Sequence, residues 1–102
     1  MRPVRYLEAA EEELLNEIGY LELRTIGLGR RFYAEVRRAE DRIAEFSESG
    51  VELGPGVRGA NLRKFRYGLI YSIESDFLLV LAVAHHSRRP GYWVGREKPH
   101  HP

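Results

Sequence analysis

The residues best suited to chemistry follow directly after a strongly apolar segment near the C-terminus, residues 77–84. Histidine can act as a general acid or base near neutral pH, and arginine binds phosphate through charge-assisted hydrogen bonds. Burying such polar groups without partners is costly, so we expect them to line an open face and to contact a ligand or partner. They are two histidines, two arginines and a tyrosine: His85, His86, Arg88, Arg89 and Tyr92.

A sheet of four strands is predicted to position this cluster. Residues 77–84 are apolar on both faces of a strand, which is typical of an internal strand. Glycine and proline between residues 49 and 56 predict a loop before the strand half of the chain. The predicted strands are approximately residues 3–7, 57–65, 69–74 and 77–84, with turns at Arg66-Tyr67-Gly68 and Ser75-Asp76.

The first half of the chain is predicted to form a helical hairpin. Apolar residues recur at helical spacing in residues 8–25 and in residues 30–48, and the Gly27-Leu28-Gly29 segment breaks the helix between them. The predicted order is therefore β-α-α-β-β-β, an α+β fold with the hairpin packed on one face of an antiparallel-rich sheet. We expect one domain over residues 1–95, followed by a flexible tail at residues 96–102.

Composition excludes several classes of protein. The chain has no cysteine, which excludes disulfides, thiol catalysis and cysteine-based zinc sites. Its longest apolar run is too short to cross a membrane, and the N-terminus has no signal-peptide pattern. His100 and His101 lack a carboxylate partner, so we expect neither a metal site nor another cofactor. The sequence favours a cytoplasmic protein.

Charge is divided unevenly along the chain, although the formal net charge is only +1. Residues 1–54 carry 8 Lys/Arg and 12 Asp/Glu, whereas residues 55–102 carry 8 Lys/Arg and 3 Asp/Glu. This excess predicts that the second half faces an anion, a nucleic-acid backbone or an acidic protein segment. The alternative is an ordinary solvated surface. The candidate nucleic-acid-binding residues are Arg63, Lys64, Arg66, Arg88 and Arg89.

Several aromatic residues near the cluster have structural roles to consider. Tyr67 and Tyr71 alternate with apolar neighbours, which predicts core positions. Trp93 is predicted to pack the tail back onto the sheet or helices. His85 continues the alternation of Leu81 and its neighbours, so it can cap the sheet while His86 points elsewhere.

The element order and several segments together resemble the RelE/ParE superfamily of type II toxins, often labelled plasmid stabilisation proteins. The resemblance covers residues 4–93 and depends on the whole pattern. It implies a bacterial toxin that is neutralised by a cognate antitoxin, typically through a helix followed by an extended strand. The segments that carry it are the Gly-Leu-Gly hinge before Arg30-Arg31-Phe32, residues 65–73, and residues 79–85 followed by residues 88–93.

The superfamily implies two different targets. RelE-like members cut mRNA in the ribosomal A site without a metal, whereas ParE-like members bind DNA gyrase and block it. Metal-free cleavage requires an acid, a base and cations around the phosphate. His85 or His86 can supply acid-base chemistry, and Tyr92 is similar in position to a tyrosine near the C-terminus of RelE-like toxins. The five basic residues named above would bind phosphate.

Two departures from the RelE-like pattern leave the target open. RelE-like members tend to carry an arginine where this chain has Gly68, and a second one after the buried strand, where this chain has His85 or His86. We rank RNA cleavage slightly above gyrase inhibition, and an inactive relic that only binds antitoxin third. The partners implied are the antitoxin and either the ribosome with mRNA or gyrase.

Overall fold

Two helices pack on one face of a five-stranded mixed sheet in the computed structural model, which describes residues 1–96. The predicted α+β class, with a helical hairpin on one sheet face, is confirmed. The predicted tail beyond Arg96, including His100 and His101, lies outside the described residues. The elements are β1 (Val4–Tyr6), α1 (Glu8–Arg24), α2 (Leu28–Glu45), β2 (Val51–Gly54), β3 (Val57–Asn61), β4 (Tyr67–Ile73) and β5 (Leu78–His85).

The strands lie in the order β1-β5-β4-β3-β2, with β1 parallel to β5 and every other pair antiparallel. The predicted internal position of the apolar strand, β5, is therefore confirmed. However, β1 is short, and its pairing runs only from Val4 opposite Leu78 to Tyr6 opposite Val80. The edge of β5 beyond Val80 has no neighbouring strand within residues 1–96.

Two local predictions were wrong. Residues 49–56 were expected to be a loop, but they contain β2, which pairs with β3 from Val51 opposite Gly59. Glycine and proline there mark only the two-residue turn, where Gly56 has a φ of 73°. Tyr67 and Gly68 were expected in a turn but belong to β4. The reversal instead uses residues 62–66, where Lys64 adopts a φ of 69° without a glycine.

The hairpin between the helices is tighter than the predicted glycine break. Gly29 lies within α2, and a Cβ there would collide with the carbonyl oxygen of Ile18. The Glu22 carboxylate accepts hydrogen bonds from the backbone N–H groups of Gly27 (2.8 Å) and Gly29 (3.0 Å). These bonds satisfy free donors at the start of α2 and lower the pKa of Glu22.

The main core lies between the helices and the sheet. Phe32 of α2 is fully buried and contacts Phe65 and Tyr67 edge to face, with ring centroids 5.3 and 4.8 Å apart. Tyr67 and Tyr71 are both buried, which confirms their predicted core positions.

No helix within residues 1–96 is long and apolar enough to cross a membrane.

A smaller cluster covers part of the other sheet face. Trp93 packs there, 9% exposed, so the prediction that it folds the tail back onto the sheet is confirmed. The β4–β5 register shifts near Ile70, and both Leu81 and Ala82 belong to this cluster. The bulge reverses the alternation of β5, so Val83 packs on the helix side instead. The other members are Val57, Ile70 and Ala84.

Phe32→Ala tests the main core. Removing a fully buried ring that two other aromatic rings contact should cost about 3–5 kcal/mol in the free energy of unfolding. The matched control is Phe46→Ala, because Phe46 is 60% exposed and its loss should cost about 0.5 kcal/mol or less. Urea unfolding measures both. Equal effects of the two substitutions would contradict the packing described.

Candidate functional site

A groove of about 680 Å³ opens on the sheet face that the helices leave uncovered. One wall is formed by Val51 and Leu53 of β2. Small residues, including Gly59, Gly68 and Ala84, lie along the floor, so the groove reaches close to the sheet backbone. The opposite wall is formed by residues that follow β5. We call residues 86–96 the strap and this cavity the groove.

The strap is a series of tight turns. Its internal backbone hydrogen bonds run from Tyr92 N–H to Arg89 O (3.2 Å), from Val94 N–H to Gly91 O (2.9 Å) and from Arg96 N–H to Trp93 O (3.1 Å). These bonds shape the strap but do not attach it to the sheet. The strap is attached by the His86 N–H, which donates to the Arg66 carbonyl oxygen, by burial of the Trp93 ring, and by contacts of Tyr92 and Arg96 described next.

Glu13 of α1 binds the strap through both carboxylate oxygens. Arg96 donates two parallel hydrogen bonds to Glu13, at 3.1 Å and 3.0 Å, and the Tyr92 hydroxyl donates a third at 3.0 Å. Glu13 also accepts the backbone N–H of Val83 at 3.0 Å. Arg96 in turn donates to the Leu81 carbonyl at 2.9 Å. Helix, strand edge and strap therefore meet at a single carboxylate.

Tyr92, a predicted catalytic residue, lies inside this contact. The guanidinium groups of Arg88 and Arg96 both lie against its ring, 3.7 and 5.1 Å from the ring centroid. Burial and the negative charge of Glu13 raise the pKa of Tyr92 to about 12. At neutral pH the phenol therefore keeps its proton, and its O–H donates a hydrogen bond to the Glu13 carboxylate. This geometry describes a residue that holds the strap in place.

The two predicted catalytic histidines differ in their surroundings. The His85 ring contacts the Tyr67 ring edge to face at 4.9 Å, and its Nδ1 accepts the Ser87 backbone N–H at 2.9 Å. That bond places the proton of the neutral ring on Nε2. His86 is exposed beside the groove. Its backbone N–H donates to the Arg66 carbonyl oxygen at 2.8 Å, and its ring has no hydrogen-bond partner within residues 1–96.

The predicted basic residues are drawn from two neighbouring segments. The β3–β4 loop carries three exposed cations, Arg63, Lys64 and Arg66. This loop contacts the strap because the His86 N–H of the strap donates to the Arg66 carbonyl oxygen. Arg89 is exposed on the strap, and these four side chains have no hydrogen-bond or ion-pair partner within residues 1–96. Arg88 is different because it stacks on Tyr92 and lies 4.0 Å from Glu13. Their binding of nucleic acid stays a prediction.

The resemblance places Gly68 where RelE-like toxins tend to carry an arginine. A Cβ at Gly68 would lie 3.2 Å from Asn61 Oδ1 and 3.3 Å from the Ala60 carbonyl oxygen. Both distances are tight, and the second neighbour is backbone that cannot rotate away. These neighbours would have to move by a few tenths of an ångström to accept a Cβ here, whereas the space above Gly68 belongs to the open groove.

Two residues of the site were missed by reasoning from the sequence. Glu13 was one of several glutamates at the start of α1, and Arg96 was assigned to the flexible tail. No local spacing connects positions 83 residues apart, so their pairing depends on the fold. The only available signal was the arginine itself, three residues beyond a tryptophan predicted to pack.

Comparisons with known proteins give a consistent result. A family model described as the ParE toxin of the type II toxin-antitoxin system parDE matches residues 4–90. A solved structure titled "Chromosomal ParDE TA system from P. aeruginosa" is similar with a TM-score of 0.69 and 13% sequence identity. The match covers 83% of this chain and 96% of that chain, and at this identity it supports the fold alone. No curated protein matches the sequence.

Tyr92→Phe tests the role of the phenol. Removing its hydrogen bond to Glu13 should cost about 1 kcal/mol of stability at neutral pH. The pKa of Tyr92 is raised to about 12, above the value of about 10 in an unfolded chain. The stability difference between wild type and variant should therefore be constant below about pH 10 and shrink as the pH rises toward 12. Urea unfolding across pH measures it, and equal stabilities at neutral pH would contradict the contact.

Proposed function

Because the chain belongs to the ParE toxin family of type II toxin-antitoxin systems, we propose that it acts by binding DNA gyrase and not by cutting mRNA. The family match over residues 4–90 carries this proposal. Gyrase is the target that the resemblance implies for ParE-like toxins. The ranking that placed RNA cleavage first is not supported by that match.

The geometry of the candidate catalytic residues also favours binding. The Tyr92 phenol is engaged by Glu13 and its pKa is raised, so it is a poor proton-transfer group at neutral pH. The Nδ1 atom of His85 is engaged by the strap backbone. Gly68 supplies no cation at the place where the resemblance implies an arginine in RelE-like members. Of the predicted acid-base groups, the His86 ring alone is unengaged within residues 1–96.

We further propose that the groove receives a segment of the cognate antitoxin. Its walls present apolar side chains to solvent, with Val51 69%, Leu53 46% and Val94 68% exposed. Arg88 and Arg89 stand at the rim beside this apolar surface. An amphipathic segment with apolar residues facing the groove and acidic residues at its edge has the complementary chemistry.

The first test compares the two possible targets in parallel. Purified protein, freed of antitoxin, should inhibit DNA supercoiling by gyrase and should leave mRNA uncut in a translating ribosome assay. His86→Ala should retain the inhibition, because gyrase binding requires no proton transfer from the imidazole. Cleavage of ribosome-bound mRNA that His86→Ala reduces by about 100-fold would overturn the proposal. Folded protein that does neither would favour a relic.

The second test places a charge in the groove. Leu53→Asp should weaken antitoxin binding by about tenfold or more, because a carboxylate would be desolvated against the bound segment. The matched control is Leu23→Asp, since Leu23 is 91% exposed on α1 and does not line the groove. Calorimetric titration with the antitoxin measures both affinities. A stronger effect of the control would place the antitoxin elsewhere.

A further inference from the structure

The edge of β5 beyond β1 exposes backbone groups that a neighbouring strand would normally satisfy. Two of them, the Val83 N–H and the Leu81 carbonyl, are bonded by side chains instead. The Glu13 carboxylate accepts from the N–H, and the Arg96 guanidinium donates to the carbonyl. Glu13 and Arg96 also pair with each other, so together they present one acceptor and one donor, as a peptide group of an added strand does.

We propose that Glu13 is a positioning residue for the groove, because it holds the strap that forms one wall. The strap runs from the uncovered sheet face around the open edge of β5 to α1. The affinity of the groove for its partner therefore depends on a helix residue that does not line the groove. The statement about affinity rests on the antitoxin docking proposed above, whereas the statement about the strap does not.

The energetics favour this dependence. The side chains of Glu13 and Arg96 are only 18% and 23% exposed, so the pair is mostly removed from water. Removing one partner leaves the other mostly buried group without its opposite charge and with only its remaining hydrogen bonds, which is more disruptive than loss of a surface ion pair. Loss of Glu13 would also release Tyr92, and Trp93 would then be the main attachment of this wall.

Trp93 is the only tryptophan of the chain, so its fluorescence reports whether the strap is seated. In Glu13→Ala and in Arg96→Gln, the Trp93 emission should shift to longer wavelength as the ring becomes exposed. Glu12→Gln is the matched control, because Glu12 is an exposed neighbour on α1 and forms no hydrogen bond or ion pair within residues 1–96. The Trp93 emission of Glu12→Gln should equal that of wild type.

Amide exchange separates the strand-edge contact from the strap. Exchange of the Val83 N–H should accelerate about tenfold or more in Glu13→Ala, because its acceptor is removed. It should change little in Arg96→Gln, because the Glu13 acceptor remains. Glu13→Gln, which keeps an acceptor oxygen but removes the charge, should behave as Arg96→Gln does. Circular dichroism confirms that each variant is folded, and if Glu13→Ala fails to fold, Glu13→Gln and Arg96→Gln decide.

Antitoxin titration then completes the test. The two strap variants Glu13→Gln and Arg96→Gln should weaken antitoxin binding by about tenfold, and Glu12→Gln should not. Unchanged Trp93 emission in both folded strap variants would overturn the assignment of Glu13. A shifted emission with unchanged affinity would overturn its positioning role. Leu53→Asp is judged separately, so failure of the groove as the docking site is distinguishable from failure of the strap.

Discussion

The open edge of β5 is the constraint from which the arrangement of the site follows. β1 pairs with β5 only as far as Val80, and the next backbone groups on that edge require partners. Glu13 and Arg96 supply them from opposite ends of the chain. Their pairing fixes where the strap lies, and the strap in turn forms one wall of the groove. A backbone requirement therefore shapes the surface proposed for partner binding.

Tyrosines connect the layers of the protein in a similar manner. Tyr6 and Tyr67 of the sheet donate to Glu40 and Glu17 of the helices, both at 2.5 Å, and Tyr92 of the strap donates to Glu13. Burial is the main cause that raises the pKa of each of these tyrosines. A buried phenol that donates to a carboxylate stabilises the fold but is unsuited to proton transfer at neutral pH. A tyrosine near the C-terminus is thus a weak indication of catalysis in this chain.

The resemblance implies that one fold serves two kinds of toxin, so the target must be inferred from the site. Here the engaged Tyr92, the glycine at position 68 in place of a cation, and the family match all favour binding of a protein target. The exposed cations of the β3–β4 loop are compatible with either target, because a basic surface attracts nucleic acid and acidic protein alike. For the choice between the two targets, the contacts of individual site residues are therefore more informative than the net charge.

Periodicity was sufficient to predict the α+β class, both helices and the internal position of β5, because apolar spacing reports which faces are buried. Alternation also placed Tyr67 and Tyr71 in packed positions, and the place of Trp93 after Pro90-Gly91-Tyr92 predicted that it packs the tail. The sequence did not reveal β2, whose short exposed run lacks a core-facing pattern, or the turn at Lys64, where no glycine signals the positive φ. The ion pair of Glu13 with Arg96 and the hydrogen bond of Tyr92 to Glu13 could not be predicted from the sequence. Those contacts depend on where β1 ends beside β5, and only the tertiary structure decides which backbone groups are left for side chains to satisfy.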